Sequence, residues 1–136
     1  MRKKKLWVII AARSGSKGIK DKNIKKFLKI PLFIHSINFA KKLKFVDKIL
    51  FSSDSKKYCD IAKKHGAYVP FYRSEKASSD FSMEEDILND IKYKLKYENL
   101  EKPDYILWLR PTTPLRDLSA LIKLIKYLKV KRNLYA

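Results

Sequence analysis

A chain of 136 residues with 46% hydrophobic residues has the size and apolar content of one folded domain with a single core, which excludes global disorder. Its formal charge of +18 is carried mostly by lysines spread along the chain, and it reads as a solvated, cationic surface that favours the arrival of anions rather than as a nucleic-acid stripe. No apolar run reaches membrane-spanning length, and the single cysteine, Cys59, excludes an internal disulfide framework and a cysteine-only zinc site.

The start, Met1-Arg2-Lys3-Lys4-Lys5, has the charge of a secretion signal, but the apolar stretch behind it is short and ends at Arg13. A cytoplasmic protein is expected. Leu6–Ala11 is continuous, apolar and β-branched, the pattern of a strand buried on both faces. Pro31 is expected to open a helix that carries Phe33, Ile37 and Ala40 on one side. Lys48–Ser52 reads as a second strand, and Ser53 or Asp54 as the cap of the next helix. That helix gathers Tyr58, Ile61, Ala62 and His65 on one face and ends at Gly66.

A short third strand is expected over residues 68–71, then a polar loop through Ser82. Residues 83–97 have helical period, with Ile87, Leu88, Ile91 and Leu95 inward; Pro103 stops the region and 104–109 forms another strand. Asp117 caps a last helix striped by Leu118, Leu121, Ile122, Ile125 and Leu128. Strands and helices in alternation imply an α/β fold: three layers, a largely parallel sheet with flanking helices, Rossmann-like, in one domain spanning 1–136. Ligands in such sheets sit beyond the carboxyl ends of strands, which selects the loops 12–23, 52–55 and 110–117.

The first of these loops holds two of the chain's three glycines, Gly15 and Gly18. Glycine lets the backbone N–H groups approach a polyanion without a Cβ in the way. Arg13, Lys17 and Lys22 add cations, and Ser14 and Ser16 add hydroxyl donors. Together they form a phosphate cradle, although neither the Walker pattern nor G-x-G-x-x-G is present. A lysine-rich surface turn is the competing reading.

Here the residues match a family. Ala12-Arg13-Ser14-Gly15-Ser16-Lys17-Gly18, followed by Lys22-Asn23, resembles the N-terminal signature of N-acylneuraminate cytidylyltransferases, the CMP-sialic acid synthetases and their relatives for legionaminic and pseudaminic acids. Three later segments agree in order: Ser52-Ser53-Asp54-Ser55, Arg73-Ser74-Glu75-Lys76-Ala77-Ser78-Ser79-Asp80, and Leu109-Arg110-Pro111-Thr112-Thr113-Pro114-Leu115-Arg116. The likeness implies a nucleotide-diphospho-sugar transferase-like fold and a nucleotidyltransferase that joins CMP from CTP to a nonulosonic sugar acid, releasing pyrophosphate.

Carried over by motif, Arg13 and Lys17 are implied as catalytic. The implied nucleotide-binding set is Ala12, Arg13, Ser16, Lys17, Gly18, Lys22, Asn23, Arg73 and Ser82, with Asn23 and Arg73 on the cytidine portion. Arg110, Thr112 and Thr113 are implied on the sugar side, with Arg116 as lining or bracing. Arg110 departs from the family, which usually has Gln there, and this weakens sialic acid itself as the substrate. Asp54 and Asp80 are expected to brace loops or cap helices, and His35 and His65 to pack; no metal ligand is assigned.

The resemblance also implies magnesium, whose late carboxylate pair is missing here, since no Asp or Glu follows Asp117. It implies a homodimer whose arm is likewise missing, so the chain reads as a C-terminally truncated, incomplete member with no nucleic-acid or membrane partner. A truncated, non-catalytic nucleotide-binding module is the alternative. A small basic nucleic-acid-binding protein, displaying Tyr93, Tyr97 and Tyr127, is the alternative of another class.

Overall fold

The computed structural model describes residues 4–12, 26–27, 30–73 and 84–110, together with Ser119, Ile122, Lys123 and Lys126 at helical positions. Its elements are β1 (Leu6–Ala11), β2 (Lys26–Phe27), β3 (Ile30–Pro31), α1 (Leu32–Lys41), β4 (Lys48–Ser52), α2 (Lys56–Lys64), α3 (Glu84–Tyr97) and β5 (Tyr105–Leu109). The three longer strands form a parallel sheet in the order β4-β1-β5, with Ile9 level with Leu50 on one side and Trp108 on the other.

Alternation along β1 sorts the core into two layers. Leu6, Val8 and Ile10 face Phe33, Ile34 and Ile37 of α1 and Tyr58, Cys59 and Ala62 of α2. Trp7 and Ile9 face Ile91 and Leu95 of α3. Every residue from Leu6 to Ile10 is buried, as a strand covered on both faces requires. Ile122 packs against the first layer, in keeping with its place in the expected last stripe; Asp117, Leu118, Leu121, Ile125 and Leu128 lie outside the described residues.

Two carboxylates pin the amino end of the sheet. Asp104 accepts from the Lys5 amide at 2.7 Å and Asp47 from the Leu6 amide at 2.8 Å, while the Asp47 amide donates back to the Leu6 carbonyl at 2.8 Å. The start of β1 is thereby tied to the segments that feed both neighbouring strands.

Three expectations are corrected. The strand over 68–71 is only a single parallel bridge between Leu50 and Tyr68. Tyr68 donates to Ile49 and accepts from Phe51, so the next ladder donor would be residue 70, a proline with no N–H. The cap of α2 is neither Ser53 nor Asp54 but Ser55, whose hydroxyl accepts from the Tyr58 amide at 3.3 Å; the Ser53 hydroxyl instead accepts from the Ser55 amide at 3.1 Å. Pro31 closes β3 immediately before α1 rather than opening the helix, in a two-stranded antiparallel hairpin that the sequence did not suggest.

Gly66 does end α2, at φ +95°, where a side chain would be strained and a Cβ would stand 2.9 Å from Lys41 Cε. No described helix is long and apolar enough to cross a membrane.

Candidate functional site

The chain steps from β1 to β4 on one side of the sheet and later to β5 on the other, so strand order reverses at β1. A crevice beyond the carboxyl ends is expected at such a switch point. Three residues implied as site residues are described there. Ala12 leaves β1 and is buried; Arg110 leaves β5 and is exposed; Arg73, only 6% exposed, comes in from the segment after the Tyr68 bridge. Arg13, Ser16, Lys17, Gly18, Lys22, Asn23, Ser82, Thr112 and Thr113 lie outside the described residues.

Ala12 and Arg73 meet on one residue that the sequence reading quoted in a motif without a role. The carbonyl of Ser52, last in β4, accepts from the Ala12 amide at 3.0 Å and from Arg73 Nη2 at 2.8 Å. The Ser52 hydroxyl accepts from Arg73 Nε at 3.2 Å, and the Arg73 amide donates to the Ser53 carbonyl at 2.8 Å. Ser52 and Ser53 are both buried. A polar pair closing the otherwise apolar end of Lys48-Ile49-Leu50-Phe51 was the available signal, since buried serines must bond to something.

Arg110 takes a different partner. Its guanidinium lies 2.6 Å from the Glu84 carboxylate at the start of α3, with both side chains at least half exposed. An exposed pair of this kind contributes little stability and exchanges readily with another carboxylate. Glu84, Glu85 and Asp86 also suit the first turn of α3, whose amide end is electropositive.

Cys59 sits behind Ser53, donating weakly from Sγ to its carbonyl at 3.9 Å. Burial pushes the thiol from 9.0 up to about 11, partly offset by the Lys63 charge. Cys59 is therefore expected to resist a thiol reagent at pH 8 until the chain unfolds. The folded pKa lies above the unfolded one, so the associated stability is full below about pH 9 and is lost as pH rises toward 11. Urea unfolding at pH 8 and pH 10.5, compared with Cys59→Ala, checks this: the native chain should lose more stability over that interval than the variant.

An apolar cavity of about 330 Å³ opens between α3 and the sheet, lined in part by Trp7, Ile9, Ile91, Leu95 and Pro103. Lys92, Lys96 and Lys102 also line it, but its surface is mostly apolar and it lies toward the amino half of the strands, away from their carboxyl ends. His35 is half-buried on α1 and His65 forms the C-cap of α2. Among the described residues, no three His, Cys, Asp or Glu side chains converge into a set that could hold a metal ion.

A family model described as Cytidylyltransferase matches residues 7–135. The chain belongs to the cytidylyltransferase family. Similar proteins include a CMP-N,N'-diacetyllegionaminic acid synthase of Legionella pneumophila, 34% identical over 82% of this chain and 48% of that protein. A pseudaminic acid cytidylyltransferase of Campylobacter jejuni is 36% identical over 79% of this chain and 46% of its own length. An N-acylneuraminate cytidylyltransferase of Escherichia coli is 32% identical over 90% of this chain and 28% of its own length. This cytidylyltransferase chain thus spans about half the length, or less, of these relatives.

Solved structures agree on the fold. A CMP:2-keto-3-deoxy-manno-octonic acid synthetase complexed with CTP superposes with a TM-score of 0.78 at 17% identity, over 96% of this chain and 49% of that one. A cytidylyltransferase from Leptospira borgpetersenii superposes with a TM-score of 0.71 at 21% identity, over 96% and 51% of the two chains. The expected parallel, three-layer architecture is the one found.

Proposed function

We propose that this chain carries the CTP-binding part of an enzyme that joins CMP to a nonulosonic, sialic-acid-like sugar acid and releases pyrophosphate. The observation that carries the reading is the Ser52 junction. It ties a buried arginine to the start of the glycine- and lysine-rich loop, at the end of the sheet where the strand order reverses. The relatives' names, which specify legionaminic, pseudaminic and N-acylneuraminic acids, support the substrate class.

In this reading the sugar hydroxyl attacks the α-phosphorus. An oxygen–phosphorus bond forms, the bond from the α-phosphorus to the bridging oxygen breaks, and the hydroxyl proton is lost to solvent or a base. Little covalent work falls to the protein, which positions the partners and neutralises charge. Arg13 and Lys17 would oppose the negative charge gathering on the leaving pyrophosphate, with Ser16, Gly18 and Lys22 completing the cradle. Asn23, Arg73 and Ser82 would hold the cytidine. Arg110 would exchange Glu84 for the carboxylate of the sugar acid, with Thr112 and Thr113 alongside.

Calorimetry with CTP, ATP and GTP tests the reading. CTP is expected to bind selectively, and Lys17→Ala to weaken it roughly 10- to 100-fold, the effect of one hydrogen bond from a charged group. Tight oligonucleotide binding without nucleotide preference would instead support a basic nucleic-acid-binding protein. Pyrophosphate release with CTP, magnesium and a panel of sugar acids separates an enzyme from a silent nucleotide-binding module.

A further inference from the structure

We propose that Ser52 is a positioning residue that fixes the plane of the Arg73 guanidinium and thereby sets the preference for cytosine over uracil. The proposal rests on the reading of Arg73 as a cytidine contact. Two of the guanidinium's five N–H donors end on Ser52, one on its carbonyl at 2.8 Å and one on its hydroxyl at 3.2 Å. Two bonds from one planar group to two atoms of one buried residue define the orientation of that plane. The backbone of Arg73 is fixed as well, through its amide bond to Ser53. Both ends of a long, rotamer-rich side chain are therefore held by the same strand end before any ligand arrives, which lowers the ordering cost of binding.

The chemistry of the bases turns orientation into selectivity. Cytosine offers two adjacent acceptors, N3 and O2. Uracil keeps O2 but carries a hydrogen on N3. A guanidinium edge donates only, so held in one plane it can pair with both cytosine acceptors and opposes N–H to N–H against uracil. A site built around a fixed donor discriminates because the wrong partner leaves a desolvated polar group unpaired. A guanidinium free to rotate would recover one bond to uracil and lose the distinction.

Ser52 also accepts the Ala12 amide. That bond uses the backbone carbonyl and survives any change of side chain, so replacing the hydroxyl alone isolates the contact to Nε.

The experiment is calorimetry of CTP and UTP binding to the whole chain, its Ser52→Ala and Ser52→Thr variants, each with a thermal unfolding curve. Ser52→Ala should weaken CTP about tenfold and UTP far less, the size of one charge-assisted hydrogen bond, so that the CTP:UTP ratio shrinks about tenfold. Ser52→Thr keeps the hydroxyl on a strand-compatible side chain and should restore the ratio. A merely structural serine would lower the unfolding midpoint while leaving the CTP:UTP ratio at its native value, and that result overturns the proposal while the CTP site stands. If the native chain itself fails to prefer CTP, the reading of the site fails, and the proposal with it.

Discussion

Truncating Phe33 to alanine should remove about 3–5 kcal/mol from the folding free energy, a large share of what a domain this size commonly has. Phe33 is wholly buried, with its ring centroid 4.8 Å from that of Phe51 and 5.8 Å from that of Tyr58. It therefore joins α1, β4 and α2 in the core on this face of the sheet. Alanine would remove the transfer energy of the ring and leave a cavity that two rigid aromatic neighbours cannot easily collapse to fill. Urea unfolding checks it: the midpoint should fall sharply with the slope unchanged. Tyr93 is the contrast. It is 65% exposed, and its replacement by alanine should change stability by no more than about 0.5 kcal/mol. Equal losses at both positions would mean that the core does not lie between α1 and the sheet.

The bounds of β1 and β4 follow from the sequence because their pattern is strong and local. Each is a run too apolar for a surface segment and too short for a buried helix. The helical period likewise located α3 to within one residue of its start and placed Ile91 and Leu95 inward. What failed had no local signal. Two-residue strands such as Lys26–Phe27 and Ile30–Pro31 contain no period at all. The apolar run from Tyr68 to Phe71 has the composition of a strand, but its outcome depends on whether Pro70 falls on a donor position, a matter of register against β4. Three successive residues, Ser53, Asp54 and Ser55, were each competent to cap α2. The choice follows from where the helix begins, which the hydroxyl pattern alone does not specify.

The site divides the same way. That Ala12 and Arg73 share a site with Arg110 followed from two sources: the alternation of strands and helices selected the loops that hold Ala12 and Arg110, and the family resemblance alone implied Arg73. That Ser52 joins the first two did not. Half of its role is played by a backbone carbonyl, and every residue has one. The pairing of Arg110 with Glu84 was equally hidden, because an ion pair between the end of β5 and the start of α3 depends on how the two pack.

Arg73→Lys is expected to have the largest effect on nucleotide binding, weakening CTP on the order of 100-fold by removing two or more charge-assisted bonds. Lysine preserves the charge, so any loss must come from geometry. An ammonium is a point donor on a flexible stem and cannot reach the Ser52 carbonyl and hydroxyl in one plane while still presenting an edge to a base. Calorimetry with CTP measures the loss. The mechanism behind it is read by a double-mutant cycle on binding, with Ser52→Ala, Arg73→Lys and the pair. If Ser52 acts through the guanidinium, removing its hydroxyl should cost almost nothing once the guanidinium is gone. The two single effects would then exceed the double by roughly the 1–1.5 kcal/mol that corresponds to a tenfold loss. Additive effects would mean that the hydroxyl supports CTP by another route, through the strand end or the loop that leaves Ala12. The unfolding midpoints of the same four proteins complete the argument, because both side-chain bonds from Arg73 to Ser52 are buried. Coupling seen in stability but absent from CTP affinity would make the Ser52–Arg73 pair a brace of the fold and not a part of the recognition surface.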